Sequence, residues 1–410
     1  MQPAARTRLL VMMFLQFALW GSWFVTLGTY LLKIGFNGAQ VSAAYSTMNW
    51  GAILAPIIAG AIADRFFQAQ KVLGVMHLAG AALLWWISSI TAPGTFFWTL
   101  LAYAICYMPT LGLANAVCFH QMSDPGKQFG PIRAAGSFGW IVVGWVVGYF
   151  APKTLGYSIE PTNLPLKLGA LISLVLALYA FTLPATPPAA AGRRPTLAQA
   201  LGLETLGYMK QRSFAVFVLG SLLICIPLSF YYSFANAFLN ESGMQNAAGK
   251  MTLGQMSEVL FLVLIPLFFA RLGVKKMLLI GMAAWAARYV LFAYGNNGTL
   301  VALLYGGIVL HGVCFDFFFV TGQIYVDRTV RRDQRAAAQG FIHVVTYGVG
   351  QLIGNWAAGA VVDRYTMAAD GATRHAWTCI WLVPAAMAVV VALLFAIFFR
   401  EPPHAVSAGP

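Results

Sequence analysis

Glu258 and Asp316 are the residues from which the chemistry of this chain is best read. The sequence holds twelve Asp and Glu. The others fall in loops, termini or the ends of apolar runs, whereas these two lie inside the runs at 252–270 and 299–325. A carboxylate near the centre of a bilayer costs about 2.5–3.5 kcal/mol, while a Leu, Ile, Phe or Val returns about 0.3–0.6 kcal/mol at that depth. Each acid therefore cancels roughly five or more apolar residues and needs a reason. Burial disfavours the charged form, so such a group can gain and lose a proton near neutral pH. The competing reading is a static buried ion pair, with Arg133 or Arg288 as the cation. Intramembrane ionisable groups are functional by default, which favours proton coupling. A sodium site wants several converging oxygens, and the sequence shows no such cluster, no metal-ligand spacing and no cofactor motif.

Helical spacing gathers polar and aromatic groups beside these acids. Gln255 and Glu258 stand at i and i+3, on one helix face. In the run 129–151, Arg133, Ser137 and Trp140 share a face, and in 213–239 Ser229, Tyr232 and Asn236 do so just after Pro227. His343, Tyr347, Gln351 and Asn355 align in 336–362, and Gln16, Trp20 and Trp23 in 9–32. One such stripe is ordinary polar glue between helices, and aromatic stripes are more often packing than ligand platforms. Five stripes in one bundle instead predict a polar, aromatic cavity at mid-membrane. It would suit a flat or ring-shaped neutral solute bearing hydroxyls. His311 and His343 could shuttle protons, although a buried neutral His with a backbone partner is the commoner case. His77 reads as packing, and His120, His375 and His404 as exposed.

These residues need a scaffold, and composition supplies it. The chain has 410 residues, 60% of them hydrophobic and 9% charged, against about 25% charged in an average globular protein. Twelve spans of about 20 residues account for most of the apolar content. A soluble enzyme, a disordered scaffold and a nucleic-acid binder are excluded, and long unbroken apolar runs argue against a β-barrel. Hydropathy places spans 1 to 12 at 9–32, 40–63, 72–91, 96–119, 129–151, 164–184, 213–239, 252–270, 277–295, 299–325, 336–362 and 376–399. With the N-terminus in the cytoplasm, most of the 25 Lys and Arg fall in cytoplasmic segments, among them Arg6, Arg8, Lys71, Arg193, Arg331 and Arg335. The net charge of +13 thus sets topology, with both termini inside, and implies no nucleic-acid partner. Basic Arg6 and Arg8 precede an apolar run too long for a signal-peptide core, so that run is expected to stay as span 1. The five cysteines lie in or beside apolar runs and imply no disulfide framework.

The Pro-, Ala- and Arg-rich stretch 185–212 reads as a linker between a six-helix bundle at 1–184 and another at 213–410. The halves echo each other. Span 5 opens with Arg133-Ala-Ala-Gly and span 11 with Arg335-Ala-Ala-Ala, about half the chain apart. Such duplication predicts parallel halves around a central cavity. The stretch Gly60-x-x-x-Asp64-Arg65, with Lys71 after it, resembles the loop signature of the major facilitator superfamily. Gly60 would let two helices approach closely, Asp64 cap and Arg65 pair across a cytoplasmic gate.

More specifically, FLQFALWGSWFVTLG (14–28), YMPTLGLANAV (107–117), PIRAAGSFGW (131–140), GQMSE (254–258), FDFF (315–318) and AAQGF (337–341) resemble the nucleoside:proton symporters of that superfamily. The similarity runs from about residue 9 to 400. It implies an all-α polytopic fold of two pseudo-symmetric bundles and proton-driven uptake of nucleosides across a bacterial cytoplasmic membrane. By resemblance, span 5 supplies Arg133, Ser137 and Trp140 to the substrate, span 8 Gln255 and Glu258, and span 10 Phe315 and Asp316. Where characterised relatives place a Gln and an Asn in span 7, this chain carries Ser229 and Tyr232, and His311 replaces a span-10 tyrosine. These departures widen the expected substrates to a modified nucleoside or another small glycoside.

The expected cycle is alternating access by a monomer whose partners are the solute, protons and lipid. Substrate and a proton on Asp316 or Glu258 together permit the halves to rock, because an unpaired buried charge raises the energy of the occluded state. Rival readings are a sugar carrier or proton-antiport exporter of the same fold and an integral-membrane transferase. No G-x-x-x-x-G-K-[ST] loop supports an ATP-driven pump.

Overall fold

The computed structural model describes residues 3–62, 67–187, 198, 201–369 and 372–401. Among them, eight helices are long and apolar enough to cross a bilayer. One, Ala247–Tyr294, turns at Gly273, where φ is 67°, so it supplies both span 8 and span 9. That backbone angle is open to glycine and strained for other residues. The helices Gly38–Ile62 and Leu164–Ala180, with the interrupted helix at 335–364, complete twelve spans.

Antiparallel neighbours build two bundles in which spans 3 and 6 pack together in the first half and 9 and 12 in the second. These outer pairs carry exposed Trp85, Leu171, Leu178, Val390, Leu393 and Ile397, an apolar perimeter suited to lipid. The halves meet through spans 1 and 2 against 7 and 11, and through span 5 against 8. At Gly148 a side chain would collide with the backbone of Gly249, so spans 5 and 8 touch main chain to main chain. Arg8 donates to Thr182 O (2.9 Å) and Ser213 to Arg400 O (2.6 Å), so both ends of the chain flank the segment joining the bundles.

Several spans are interrupted, and hydropathy did not reveal it. Span 1 breaks between Pro3–Trp23 and Leu27–Lys33. The Tyr45 hydroxyl on span 2 repairs this break: it donates to Phe24 O (2.7 Å) and accepts from Gly28 N (3.0 Å). Orphaned backbone groups in a buried position cost about 1–3 kcal/mol each. Tyr45→Phe should therefore lower the unfolding temperature of the purified protein, as read by a thermal-shift assay; an unchanged transition would show that the break needs no such support. Spans 5, 10 and 11 contain π-helical turns at Val146–Phe150, Asp316–Val320 and Val344–Gly350, a feature that recurs at functional sites.

Two expectations need correction. The connection from span 11 to span 12 is a β-hairpin, Thr366–Ala369 paired with Ala372–His375, in an otherwise helical chain. It is anchored by His375, whose side chain is 6% exposed rather than free in solvent. Its backbone N and Nδ1 lie 3.1 and 2.7 Å from the Glu241 carboxylate at the end of span 7. Cys379, by contrast, is exposed although it lies in an apolar run, and all five cysteines are free thiols.

Candidate functional site

A narrow hollow lies between the halves. It opens beside the break in span 1, and its walls include Phe24, Trp140, Tyr232, Met251, Thr252 and Gln255. The sequence motifs therefore meet in space: Trp140 comes from span 5, Tyr232 from span 7 and Gln255 from span 8. Phe24 bridges the halves, 6.4 Å from Trp140 and 6.0 Å from Tyr232 between ring centres. Trp20 stands behind this wall, packed edge-on against Trp140 at 5.7 Å.

One turn along span 8 from Gln255 stands Glu258, its side chain 22% exposed. Asp316 begins the π turn of span 10, is 1% exposed, and its Oδ2 has no hydrogen-bond partner. The two acids are close enough for their charges to interact. Arg133 reaches from the other half and feels Glu258, Tyr347 and Tyr107 electrostatically. Its guanidinium rests 4.1 Å from the centre of the Phe17 ring. Among the described residues neither acid forms an ion pair with Arg133 or Arg288, so the static-pair reading has no geometric basis. Phe315 follows His311 by one turn and packs on Phe319 at 5.0 Å, which packs on Tyr347 at 5.4 Å. A second hollow adjoins these rings, lined by Phe319, Gln339, His343 and Tyr347.

Three expected stripes divide on inspection. Gln16 is fully buried away from the hollow, donating to Thr110 (2.8 Å) and standing 2.8 Å from His77 Nε2. Of the expected span 7 residues Ser229, Tyr232 and Asn236, only Tyr232 lines the hollow, beside its neighbour Tyr231. Ser229 bonds to the backbone oxygens of Cys225 and Gln351, and Asn236 donates to Glu160 (2.9 Å). Gln351 and Asn355 belong to a polar lock with Asn49 on span 2 (3.2 and 2.7 Å). The physical reason is common to all three: an amide in oil bonds to the first neighbouring helix that offers a partner. His311 is 4% exposed and sits behind Glu258 rather than among the lining residues.

A fully buried carboxylate that sequence reading passed over is Glu160, in the loop between spans 5 and 6. It accepts from Asn236 (2.9 Å) and Asn240 (2.8 Å) of span 7 and from Ala248 N (3.0 Å) at the start of span 8. Nearby, Asp363 of span 11 accepts from the backbone of Gly38 (2.6 Å) and Ala39 (2.9 Å) at the start of span 2. Trp145 donates to Thr252 (3.0 Å). The hydrogen bonds between the two bundles, among the described residues, run from the middle of spans 2 and 11 to the end of the molecule remote from the termini. The expected gate at the other end cannot be described in the same way: Gly60 closes the span 2 helix, but Asp64 and Arg65 lie outside the described residues.

The family model described as "Nucleoside H+ symporter" matches residues 4–404. The chain belongs to the nucleoside H+ symporter family. It is 42% identical to the putative nucleoside transporter YegT of Escherichia coli, over 98% of this chain and 95% of that protein. It is 35% identical to the E. coli xanthosine permease, covering 96% and 95%. The crystal structure of the nucleoside transporter NupG superposes with a TM-score of 0.86 at 33% identity, covering 97% of this chain and all of the other. In this symporter fold Trp140 of span 5 and Gln255 of span 8 line one hollow, while Phe315 and Asp316 of span 10 lie outside its walls. What the sequence did not disclose is the set of loop and helix-end acids, Glu160 and Asp363, that fasten the symporter's halves. The signal that could have found Glu160 is the pair Asn236 and Asn240, two amides one turn apart at the end of a span.

Proposed function

We propose that this protein carries nucleosides into the cell together with protons, by alternating access across the bacterial inner membrane. The observation that carries the reading is a pair of membrane-interior carboxylates, Glu258 and Asp316, beside an aromatic hollow whose walls come from both halves. In this reading 1–184 and 213–410 are the moving bodies, 185–212 links them, both termini are cytoplasmic, and the monomer is the working unit. Fastened, among the described residues, from mid-membrane to the end remote from the termini, the chain is then closed to the outside.

The roles follow from chemistry. Trp140, Phe24 and Tyr232 offer faces to the base, and Gln255, Ser137 and Arg133 offer polar contacts to base edges and ribose hydroxyls. Phe315 backs the acids. An unpaired carboxylate in oil is costly, and taking up a proton removes the cost. Asp316, without a cation, is assigned as the carrier of the coupled proton, and Glu258, between Arg133 and His311, as the acid that senses substrate and must itself lose its proton for the cycle to complete.

The direct test is uptake of a panel of nucleosides and sugars into proteoliposomes with an imposed pH gradient. Concentrative nucleoside uptake abolished by a protonophore is the expected result. Accumulation of sugars alone, or uptake driven only by internal acid, would overturn it. Base–aromatic stacking contributes about 1–3 kcal/mol. Trp140→Ala should therefore raise KM for the best nucleoside about tenfold or more while leaving the maximal rate within a few-fold. An unchanged KM would remove Trp140 from the binding surface.

A further inference from the structure

Arg288 on span 9 has no exposed surface, and the assigned cycle gives it no part. Its Cζ lies 3.3 Å from the centre of the Tyr231 ring on span 7. One terminal nitrogen stands 3.3 Å from His311 Nδ1 on span 10, while Nε and Nη2 have no hydrogen-bond partner. Two facts then fix the histidine. A guanidinium only donates, so Nδ1 must be the accepting, unprotonated nitrogen. The ring proton therefore sits on Nε2, which lies 3.7 Å from Oε2 of Glu258. The imidazole cannot turn away, because it stacks on Tyr231 at 5.5 Å and 25°. Spans 8 and 10 are held at this spacing by Gly312, where a side chain would strike Ser257 and the Glu258 backbone.

We propose that Arg288 is a positioning residue for proton coupling, locking His311 as a neutral N–H donor aimed at Glu258. His311 is then not a proton carrier, and Arg288 acts on the acid through the ring without touching substrate. The charged and titratable groups facing the ring are Glu258 from span 8, Arg288 from span 9 and Tyr231 from span 7, with Cys314 on its own helix. The Nε2–H thereby presents a donor to the Glu258 carboxylate from span 10. This inference rests on the symport reading for its consequence, while the tautomer itself is independent of it.

Two measurements test it. Nitrogen-15 NMR of histidine-labelled protein in nanodiscs, with His311→Phe used for assignment, should show Nδ1 unprotonated and the ring proton on Nε2 at neutral pH. In Arg288→Met this fixed tautomer should be lost, with signals of both tautomers from the same ring. A protonated Nδ1 in the wild type overturns the proposal whether or not nucleosides are carried. In proteoliposomes supplied with adenosine, uridine and xanthosine, Arg288→Met and His311→Phe should each shift the alkaline limb of uptake in the same direction by about one pH unit, since both remove the N–H donor held at Glu258. The double variant should shift no further than either single one, and His311→Gln, which retains an N–H donor, should recover at least half of the shift. If Arg288→Met does not fold, the two His311 variants decide. A wild-type pH limb in His311→Phe refutes the proposal, whereas absence of any nucleoside accumulation by the wild type refutes the symport reading.

Discussion

Asp316→Asn is expected to reduce the accumulation ratio of nucleoside in energised proteoliposomes to about one, while exchange of internal for external nucleoside continues. Asn matches the carboxyl in shape, so packing around a side chain that is 1% exposed is kept. What disappears is the ability to bind and release a proton. The wild-type carboxylate has an oxygen without a partner and no cation paired with it, so its charge strongly biases which conformations are accessible. The neutral amide removes that bias, and the carrier can rock whenever substrate is bound. The gradient then has no handle on the cycle. Undiminished accumulation by this variant would transfer the coupling role away from Asp316. Glu258→Gln supplies the contrast: it should weaken binding as well as coupling, because Glu258 interacts with Arg133 and His311 rather than standing alone.

The second large effect concerns Glu160. Its carboxylate accepts three hydrogen bonds from the opposite half, and these form only when the end remote from the termini is closed. Hydrogen bonds to charged groups contribute about 1.5–3 kcal/mol each, and stranded partners reduce stability further. Allowing for rehydration of the freed amides, Glu160→Ala should shift the equilibrium toward the outward-open form by about 10- to 1,000-fold, or roughly 1.4–4 kcal/mol. Labelling of a cysteine placed at Thr252, in the hollow wall, by an impermeant reagent from outside would report it. Equal labelling in both proteins would show that the clasp does not control the gate.

The same residue gives a pH dependence with a defined sign. Burial is the largest influence on the Glu160 carboxyl and pushes it above the usual carboxylate range, against the Asn240, Asn236 and Ala248 donors and the charge of Lys250. In the open form the group is solvated and ordinary. A group whose proton affinity is higher in the closed form stabilises closure fully below its ordinary range, and that contribution fades as pH rises past the elevated value. Outside labelling should therefore fall as pH drops toward the carboxylate range. Glu160→Gln, which cannot titrate, should flatten the curve; a curve of wild-type steepness would assign the effect to another group.

The residues that made the candidate site legible are those that violate their surroundings. Glu258 and Asp316 stand out because a charge in an apolar run opposes the partitioning that creates the run. Arg133, Trp140 and Gln255 could be added because helical spacing fixes which residues share a face. Ser229, Asn236, Gln351 and Asn355 obeyed the same spacing and yet serve helix contacts. A periodicity specifies a face and not what the face meets. Glu160 was invisible for the opposite reason, since an acid in a loop violates nothing until another part of the chain covers it.

Composition and hydropathy by themselves determined a polytopic membrane protein, twelve spans and the duplication of the halves, because partitioning into oil is a local property that each segment carries alone. The tertiary structure alone decided which polar groups are spent on fastening helices and which are left facing the hollow. It also decided that Tyr45 mends a broken helix, that Arg288 holds a histidine, and that one loop carboxylate ties the two bundles together. Each of these is a bond between residues far apart in the chain, and its partner exists only after the spans have packed.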